Sequence, residues 1–567
     1  MESSLVFVLT PAVMSAYLFD WVAGSYRFVA RGQVPSLTSP EATVVDDARA
    51  AMTEVERLTG RSLTLHGEPV VPATVDGCGV DVMAAVCAPG GVLRVAVVAG
   101  TEDLAVDSAP RAVCGAGHEV VYTLALDGHE AASPEGLFEA VRQLRLTRPD
   151  VVLVAAQGEG VGAERLPTFA TALGAPEVQV GTEAPALLFA GEDSQLAVLV
   201  QGVGDRFPLQ TAQRLRPAPG EESLEPVKAA LYALHAERWC AQLPGFERFA
   251  AWLKRRPVPL DIALSRMFRF LAAAANGPVW GIDFDRAGPG LFLATPSSLS
   301  AFRMRLSFIP MSQSAAWLPS DPGDGAFAQA IVNLLMRPAA LPATADEALY
   351  EGALLRAQCR LALDDPRRPV VEPALGGEVG RVVGTGPGTA CAPGAVDAAL
   401  LLLDAAQPVG VGYLQWDPLS LLAPIGALAS LEPRAAADLA LNEAAASIGF
   451  YVAPAGTVRP GGTAVSLEAT YADKSSLRLE VASGTVEALP VPPSGQTTLD
   501  IKLVERLDVG AGGGRRFGVS VPPTALGVVV DARGRPIAWP VQEAERRRLL
   551  VASRRPLGAR VSEEVRG

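Results

Sequence analysis

Apolar positions recur along this chain with two periods. Residues 5–31 are rich in β-branched and aromatic side chains, and a polar break falls at Ala23-Gly24-Ser25. They predict a hairpin whose return strand is Tyr26–Ala30. Helical spacing follows over Val45–Thr59, and VLRVAVVAG (92–100) reads as a buried strand. Pro134–Thr147 sets Leu137, Val141 and Leu144 on one helix face. Val151–Ala155 is a second buried strand, and Ala184–Val203 predicts further short strands. Helices are expected over Ser223–Ala236, Phe246–Lys254 and Ile262–Ala275, with 255–261 as a connector. GPVWGIDFDRAGPGLFLAT (277–295) then repeats the opening pattern of strand, tight turn and strand. Two α/β units are therefore expected, each led by a hairpin. After Thr457 the texture changes to short alternating segments split by Gly, Pro and Ser, which predicts a small antiparallel β unit over about 455–525. Residues 525–540 add a strand, a turn at Asp531–Gly534 and a short return, and an arginine-rich helix is expected from Glu543.

Two glycine loops follow predicted strands. Val382–Val383 runs into Gly384-Thr385-Gly386-Pro387-Gly388, and a helix is expected over Ala395–Ala406. Glycines let a ligand touch backbone, and a helix start offers unpaired N–H groups to an anion. The second loop, Gly158-Glu159-Gly160-Val161-Gly162-Ala163, fits the GxGxxA dinucleotide fingerprint, with Glu177 or Glu183 about twenty residues on. The signal is modest, and a plain glycine-rich strand-to-helix turn of a doubly wound fold is the favoured alternative. Asp283 and Asp285 are a candidate carboxylate pair. At i and i+2 on one strand they share a face and could hold a metal; alternatively they cap a turn with Arg286. Arg533 and Arg535 could grip a carboxylate or phosphate, or pair with Asp531 inside their own turn and dock the β unit on the body.

Length and charge narrow the function. The chain has 567 residues, enough for several domains, and is 49% hydrophobic. A net charge of −13 argues against a nucleic-acid partner. The six cysteines form no CxxC pair and the four histidines are scattered, so no zinc or redox motif stands out. Reduced thiols and a cytoplasmic location are expected. The apolar N-terminal run lacks a basic flank and contains Pro11, so no membrane segment is expected. None of the four lysines follows a glycine loop, and GxSxG and HExxH are absent.

Several stretches resemble one family. They are Leu18–Gly32, Thr59–Arg61, Gly79–Asp81, RPDVVLVAAQGEGVGA (148–163), LLFAG (187–191), GIDFD (281–285), Arg381–Leu431 and LGVVVDARGRPIAWP (526–540). Together they resemble the MutL accessory proteins linked to glutamate mutase, which are unrelated to the mismatch-repair protein of that name.

The resemblance implies duplicated ribonuclease-H-like lobes of an actin-like ATPase. Lobe I would span 1–261, lobe II 262–450, a C-terminal β domain 451–542 and an arginine-rich tail 543–567. It also implies ATP with Mg²⁺, with Asp283 on the metal and phosphate side and Gly384, Gly386 and Gly388 on the adenosine side. Gly158 and Gly160 are the alternative ligand loop. The first phosphate loop departs from the family pattern. Val8 stands at its carboxylate position, Thr10 at its glycine, and Pro11 has no N–H to donate. In the second loop Asp285 replaces a glycine, and at the first adenosine-side position Ala156-Gln157 replace paired glycines. The expectation is a degenerate, pseudo-ATPase accessory protein that acts by binding a protein, with a cobalamin-dependent mutase as the candidate. Slow ATP hydrolysis and binding of a dinucleotide or other phosphate ligand are the alternatives, and self-association stays open.

Overall fold

The computed structural model describes residues 3–39, 41–156, 158–175, 184–306, 308, 310–321, 323, 325–368, 380–456, 461–504, 507–510, 516–554 and 557. The protein is a mixed α/β molecule with four main sheets. Its first sheet starts with β1 (Ser3–Leu9), β2 (Val13–Val22) and β3 (Ser25–Pro35), followed by helix α1 (Val44–Thr59) and β4 (Val82–Cys87). The chain then builds a second sheet from β5 (Arg94–Ala99), β6 (Glu119–Ala125), β7 (Val151–Ala155), β8 (Ala186–Ala190) and β9 (Leu209–Ala212). Between these strands run α2 (Ala109–Gly115), α3 (Pro134–Leu146), α4 (Val161–Gly174) and α5 (Asp193–Val203). Helix α6 (Glu225–Ala241) leads back to the first sheet, which ends in the two-residue β10 (Val258–Pro259).

Helix α7 (Leu260–Ala275) opens the next part. The third sheet takes β11 (Val279–Asp283), β12 (Gly290–Ala294) and β13 (Leu299–Arg303), then, after α8 (Ala345–Asp364), β14 (Gly380–Thr385). Helix α9 (Ala395–Ala406) precedes β15 (Gly410–Trp416), and α10 (Leu422–Leu428) and α11 (Pro433–Leu439) precede β16 (Ala446–Ala453). The rest is β17 (Thr463–Thr470), β18 (Ser476–Ala482), β19 (Val486–Leu489), β20 (Thr497–Leu503), β21 (Arg516–Val521), β22 (Val528–Asp531) and helix α12 (Glu543–Arg554).

The first sheet has the order β10-β4-β1-β2-β3, and the third contains the run β15-β14-β11-β12-β13. In both, the first three strands form an antiparallel meander and the next two add in parallel on the far side of the first. The two sheets share one core. Val6, Tyr17 and Phe19 from the first, Phe292 and Val383 from the third, and Phe268 of α7 and Ile425 of α10 are buried together. The second sheet is wholly parallel in the order β6-β5-β7-β8-β9, a doubly wound unit inserted between β4 and β10.

Two sequence expectations change. The first apolar run is two strands, β1 and β2, so the opening unit has three. The Thr10 hydroxyl accepts from the amides of Val13 (2.9 Å) and Ala12 (3.3 Å), and Pro11 has no N–H to continue a ladder. Within Ala184–Val203 only Ala186–Ala190 is extended, and Asp193–Val203 is helical. Leu196, Leu199 and Val203 recur at helical spacing there.

The C-terminal β residues divide between two sheets. β17, β18, β20 and β21 make a four-stranded antiparallel sheet, whereas β19 and β22 extend the third sheet beyond β16 to eight strands. At the other edge of that sheet, α6 finishes the ladder of β13. Glu225 Oε1 accepts from the Ala301 amide at 3.1 Å, and the fully buried Lys228 ammonium donates to the Ala301 carbonyl. An edge that would present bare backbone is thereby capped by two side chains. Helix α12 packs Leu550 and Val551 inward, and Arg554 meets Asp397 at 2.6 Å. Arg555, Arg560 and Arg566 lie outside the described residues. Among the described residues no helix is long and apolar enough to cross a membrane.

Candidate functional site

The site lies at one end of the third sheet, where five strands present one residue each. Asp283 ends β11 and pairs with Gly290 of β12 on one side and Thr385 of β14 on the other. Gly290 pairs in turn with Arg303 of β13, and Asp417 follows β15 directly. The row therefore runs Arg303, Gly290, Asp283, Thr385, Asp417.

Arg303 crosses the middle strand. Its Nη2 meets Asp283 Oδ2 at 2.7 Å and Asp261 Oδ1, at the start of α7, at 2.7 Å. The path is open because Gly290 has no side chain: a Cβ there would stand 2.7 Å from the guanidinium. Asp283 and Arg303 are each only 2% exposed. Burial pushes the Asp283 carboxyl up to about 6, while Arg303 pulls the other way. The two carboxylates lift the Arg303 guanidinium well above its ordinary value despite its burial.

Asp285 is not part of this cluster. It lies past the end of β11, so strand alternation no longer governs where it points. Its Oδ1 accepts from the Ala287 amide at 2.8 Å and its Oδ2 is 4.0 Å from Arg305. Arg286 does not join the two aspartates; it grips the fully buried Glu351 at 2.6 and 3.0 Å. Among the described residues, no group of three or more His, Cys, Asp and Glu stands together to hold a metal.

The glycines of 384–388 are packed. A Cβ on Gly384 would enter the Trp416 ring, one on Gly386 would collide with Asp283 Oδ1, and one on Gly388 would press on Leu355 and the Phe284 carbonyl. Gly386 also has φ +94°, which a side chain rarely adopts. The Gly388 amide donates to the Phe284 carbonyl at 2.8 Å and so is already used. A short 3₁₀ turn, Pro387–Cys391, separates this loop from α9, so the glycines do not sit at that helix's N-terminus.

Asp417 is fully buried and caps α10. Its oxygens accept from Leu421 and Leu422 amides at 2.9 and 3.0 Å and from Thr385 Oγ1 at 2.8 Å. Desolvation outweighs these bonds and raises its carboxyl to about 6. The folded value exceeds the unfolded one, so this group stabilises the fold at low pH, and that contribution is lost as pH rises through about 6. Between pH 4 and 7 its loss is on the order of 3 kcal/mol. In Asp417→Asn this fall should vanish. Urea melts of both proteins across that range check it; a stability difference that does not change with pH would refute the assignment.

Gly158 and Gly160 lie apart from this row, in the inserted sheet. Both are exposed, with φ of +76° and +127°, in the loop between β7 and α4. Gly162 packs on the backbone of Gly100, after β5. Strand order reverses between β5 and β7, so these loops border the switch-point crevice where doubly wound sheets bind ligands. The loops at this end carry Glu102, Asp103, Asp127 and Glu159, which would repel a phosphate. Gln157, Glu177 and Glu183 lie outside the described residues.

Residues 13–285 match the model of the MutL protein family. Over those residues the chain is similar to the MutL family. This is the MutL linked to glutamate mutase, not the mismatch-repair protein. None of the curated proteins matches the sequence. Among solved structures, a nucleotide-free acetone carboxylase is 10% identical, covering 84% of this chain and 81% of its own, at a TM-score of 0.30. A protein of the PilM–PilN type IV pilus biogenesis complex is 13% identical, covering 77% and 97%, at 0.26. The type II variant of the Aquifex aeolicus Ppx/GppA phosphatase is 7% identical, covering 68% of each, at 0.16. All three are too distant to assign a fold or an activity. The MutL match ends at Asp285, within the turn that leaves β11.

Sequence reasoning missed Arg303, Asp261, Gly290 and Glu351. Asp261 closes an apparent connector and Arg303 an ordinary strand, and no local pattern marks a guanidinium that bridges residues 20 and 42 positions away.

The DARGRP turn holds a second buried network. Arg533 pairs with Asp531 at 2.7 Å and with Asp404 of α9 at 2.8 Å, and Arg356 of α8 also meets Asp404 at 2.7 Å. Arg535 pairs with Asp531 at 2.7 Å and donates to the Pro408 carbonyl at 2.9 Å. The two arginines thus face carboxylates of the protein itself and tie β22 to the helices of the third sheet.

Proposed function

We propose that this protein is a catalytically degenerate, actin-like accessory protein that works by binding another protein. In this reading the first and third sheets are the cores of two duplicated lobes, 1–261 and 262–450, and the inserted parallel sheet belongs to lobe I. Residues 451–542 form the C-terminal β domain, two strands of which, β19 and β22, join the sheet of lobe II, and 543–567 the tail. The shared order of five strands in the two sheets supports the duplication.

The observation that carries the pseudo-ATPase reading is the Arg303–Asp283 pair. The carboxylate that the MutL resemblance assigns to Mg²⁺ and phosphate already has an internal cation. The first loop supports the same conclusion. Val8 replaces its carboxylate, Pro11 has no N–H, and the Ala12 and Val13 amides are taken by Thr10. The residues at the two loops therefore do not fit a magnesium-bound triphosphate. A protein partner remains as the function, with a cobalamin-dependent mutase as the family's candidate, in the cytoplasm.

Calorimetry with ATP and ADP, with and without Mg²⁺, tests this. No heat and no thermal stabilisation at millimolar nucleotide are expected. Saturable binding of either nucleotide would overturn the reading. A dinucleotide at Gly158 and Gly160 is favoured only by the openness of that loop, and the acidic loops around it weigh against it.

A further inference from the structure

Beside Arg303 lies a small, largely enclosed cavity of about 20 Å³. It is where three parts of the molecule meet. His118 comes from the segment between α2 and β6, Tyr232 and His235 from α6, Asp261 from α7, and Arg303 and Arg305 from the end of β13 and beyond. Three of these side chains, each more than nine-tenths buried, carry a polar atom with no hydrogen-bond partner among the described residues: Arg303 Nη1, Tyr232 Oη and His118 Nε2. Each such atom left dry destabilises the fold. Three in the lining of one cavity call for a common partner.

The chemistry of that partner follows from the lining. Nδ1 of His118 accepts from the Leu93 amide at 3.4 Å, so in the neutral ring Nε2 carries the hydrogen. The Leu231 carbonyl lies beside the ring, outside hydrogen-bond geometry. Burial holds His118 down to about 3 and His235 to about 4, so both rings are neutral near pH 7. Arg303 Nη1 can only donate, and the Tyr232 hydroxyl can donate or accept. The occupant must therefore accept from two N–H donors. It must also be small, because the space suits one water and not a phosphate or a carboxylate. It must be neutral: Arg303 is already paired with Asp261 and Asp283, and Arg305 lies 4.0 Å from Asp285, which disfavours a halide, and the N–H donors disfavour a cation.

We infer that this cavity is a binding site for a single water molecule, which accepts from Arg303 Nη1 and His118 Nε2 and donates to Tyr232 Oη. The water links the inserted parallel sheet, through α6 and the segment before β6, to the guanidinium that holds Asp283. This inference stands whether or not the protein binds nucleotide.

A high-resolution crystal structure of the full chain grown in chloride, a second from crystals soaked in bromide, and denaturant melts of Tyr232→Phe test it. One ordered density within hydrogen-bond distance of all three atoms is expected, with no anomalous signal from bromide. Tyr232→Phe keeps the ring but removes one partner, so the folded-to-unfolded ratio should fall about tenfold. A dry cavity, an anomalous peak there, or a Tyr232→Phe protein as stable as the parent or more so would each overturn the inference.

Discussion

Arg303→Met should lower stability by about 3–5 kcal/mol, because it leaves two buried carboxylates without their cation. Methionine fills much of the arginine's volume, so the loss reports charge more than packing. Asp283 and Asp261 now share one guanidinium, and Asp283 is already raised to about 6 with that cation present. Without it, Asp283 should bind a proton more readily still. The variant should therefore recover part of its deficit as the pH falls from 7 towards 5, since the protonated form escapes the penalty of a buried charge. Urea melts at the two pH values measure both effects. Arg303→Lys should not rescue, because a single ammonium cannot reproduce the planar fork that spans two carboxylates. A variant as stable as the parent at pH 7 would mean that Asp283 is neutral in the native protein, and the internal-cation argument would fail. The variant should not gain nucleotide binding either, because the Thr10-Pro11 turn still lacks free amides.

Asp531→Ala is the second large effect, again about 3–5 kcal/mol. Asp531 is fully buried between two guanidiniums, and removing it leaves Arg533 and Arg535 to face Asp404 and the Pro408 and Gly534 carbonyls. The pairing holds the Asp531 carboxyl well below the usual range. A depressed folded value means that its contribution is present above the unfolded value of about 4 and is lost only as pH falls further. The gap between variant and parent should thus be constant from pH 7 to about 4 and close below it. Hydrogen exchange adds a spatial readout: protection should fall most in β19 and β22, which this network ties to α9. A uniform loss across the molecule would instead mean that the turn stabilises the whole fold and does not dock the C-terminal strands.

These two clusters show where the sequence could and could not be read. The DARGRP turn was legible as one of two alternatives, because Asp531 and Arg533 are two residues apart and pair locally. The reach of Arg533 to Asp404, 129 positions away, was not. The GIDFD hairpin was legible as a strand and a turn. Its occupation by Arg303 was not, since that depends on two intervening strand pairings and one missing Cβ. The glycine loop at 384–388 was located correctly, but its glycines serve close packing onto Trp416, Asp283 and Leu355.

The sequence by itself determined the local elements. Helix α9 and strand β7 begin and end where the periodicity places them, and the two hairpin-led units are visible because a 3.6- or 2-residue repeat is a property of neighbouring residues. It also fixed what Val8 and Pro11 lack, a carboxylate and an N–H, which needs no partner to be felt. Only the tertiary structure decided which sheet each late strand joins, which carboxylate meets which arginine, and which polar side chains line one cavity. Those outcomes depend on contacts between residues tens to hundreds of positions apart. Their energies come from burial and charge pairing, and one-dimensional periodicity carries no trace of either.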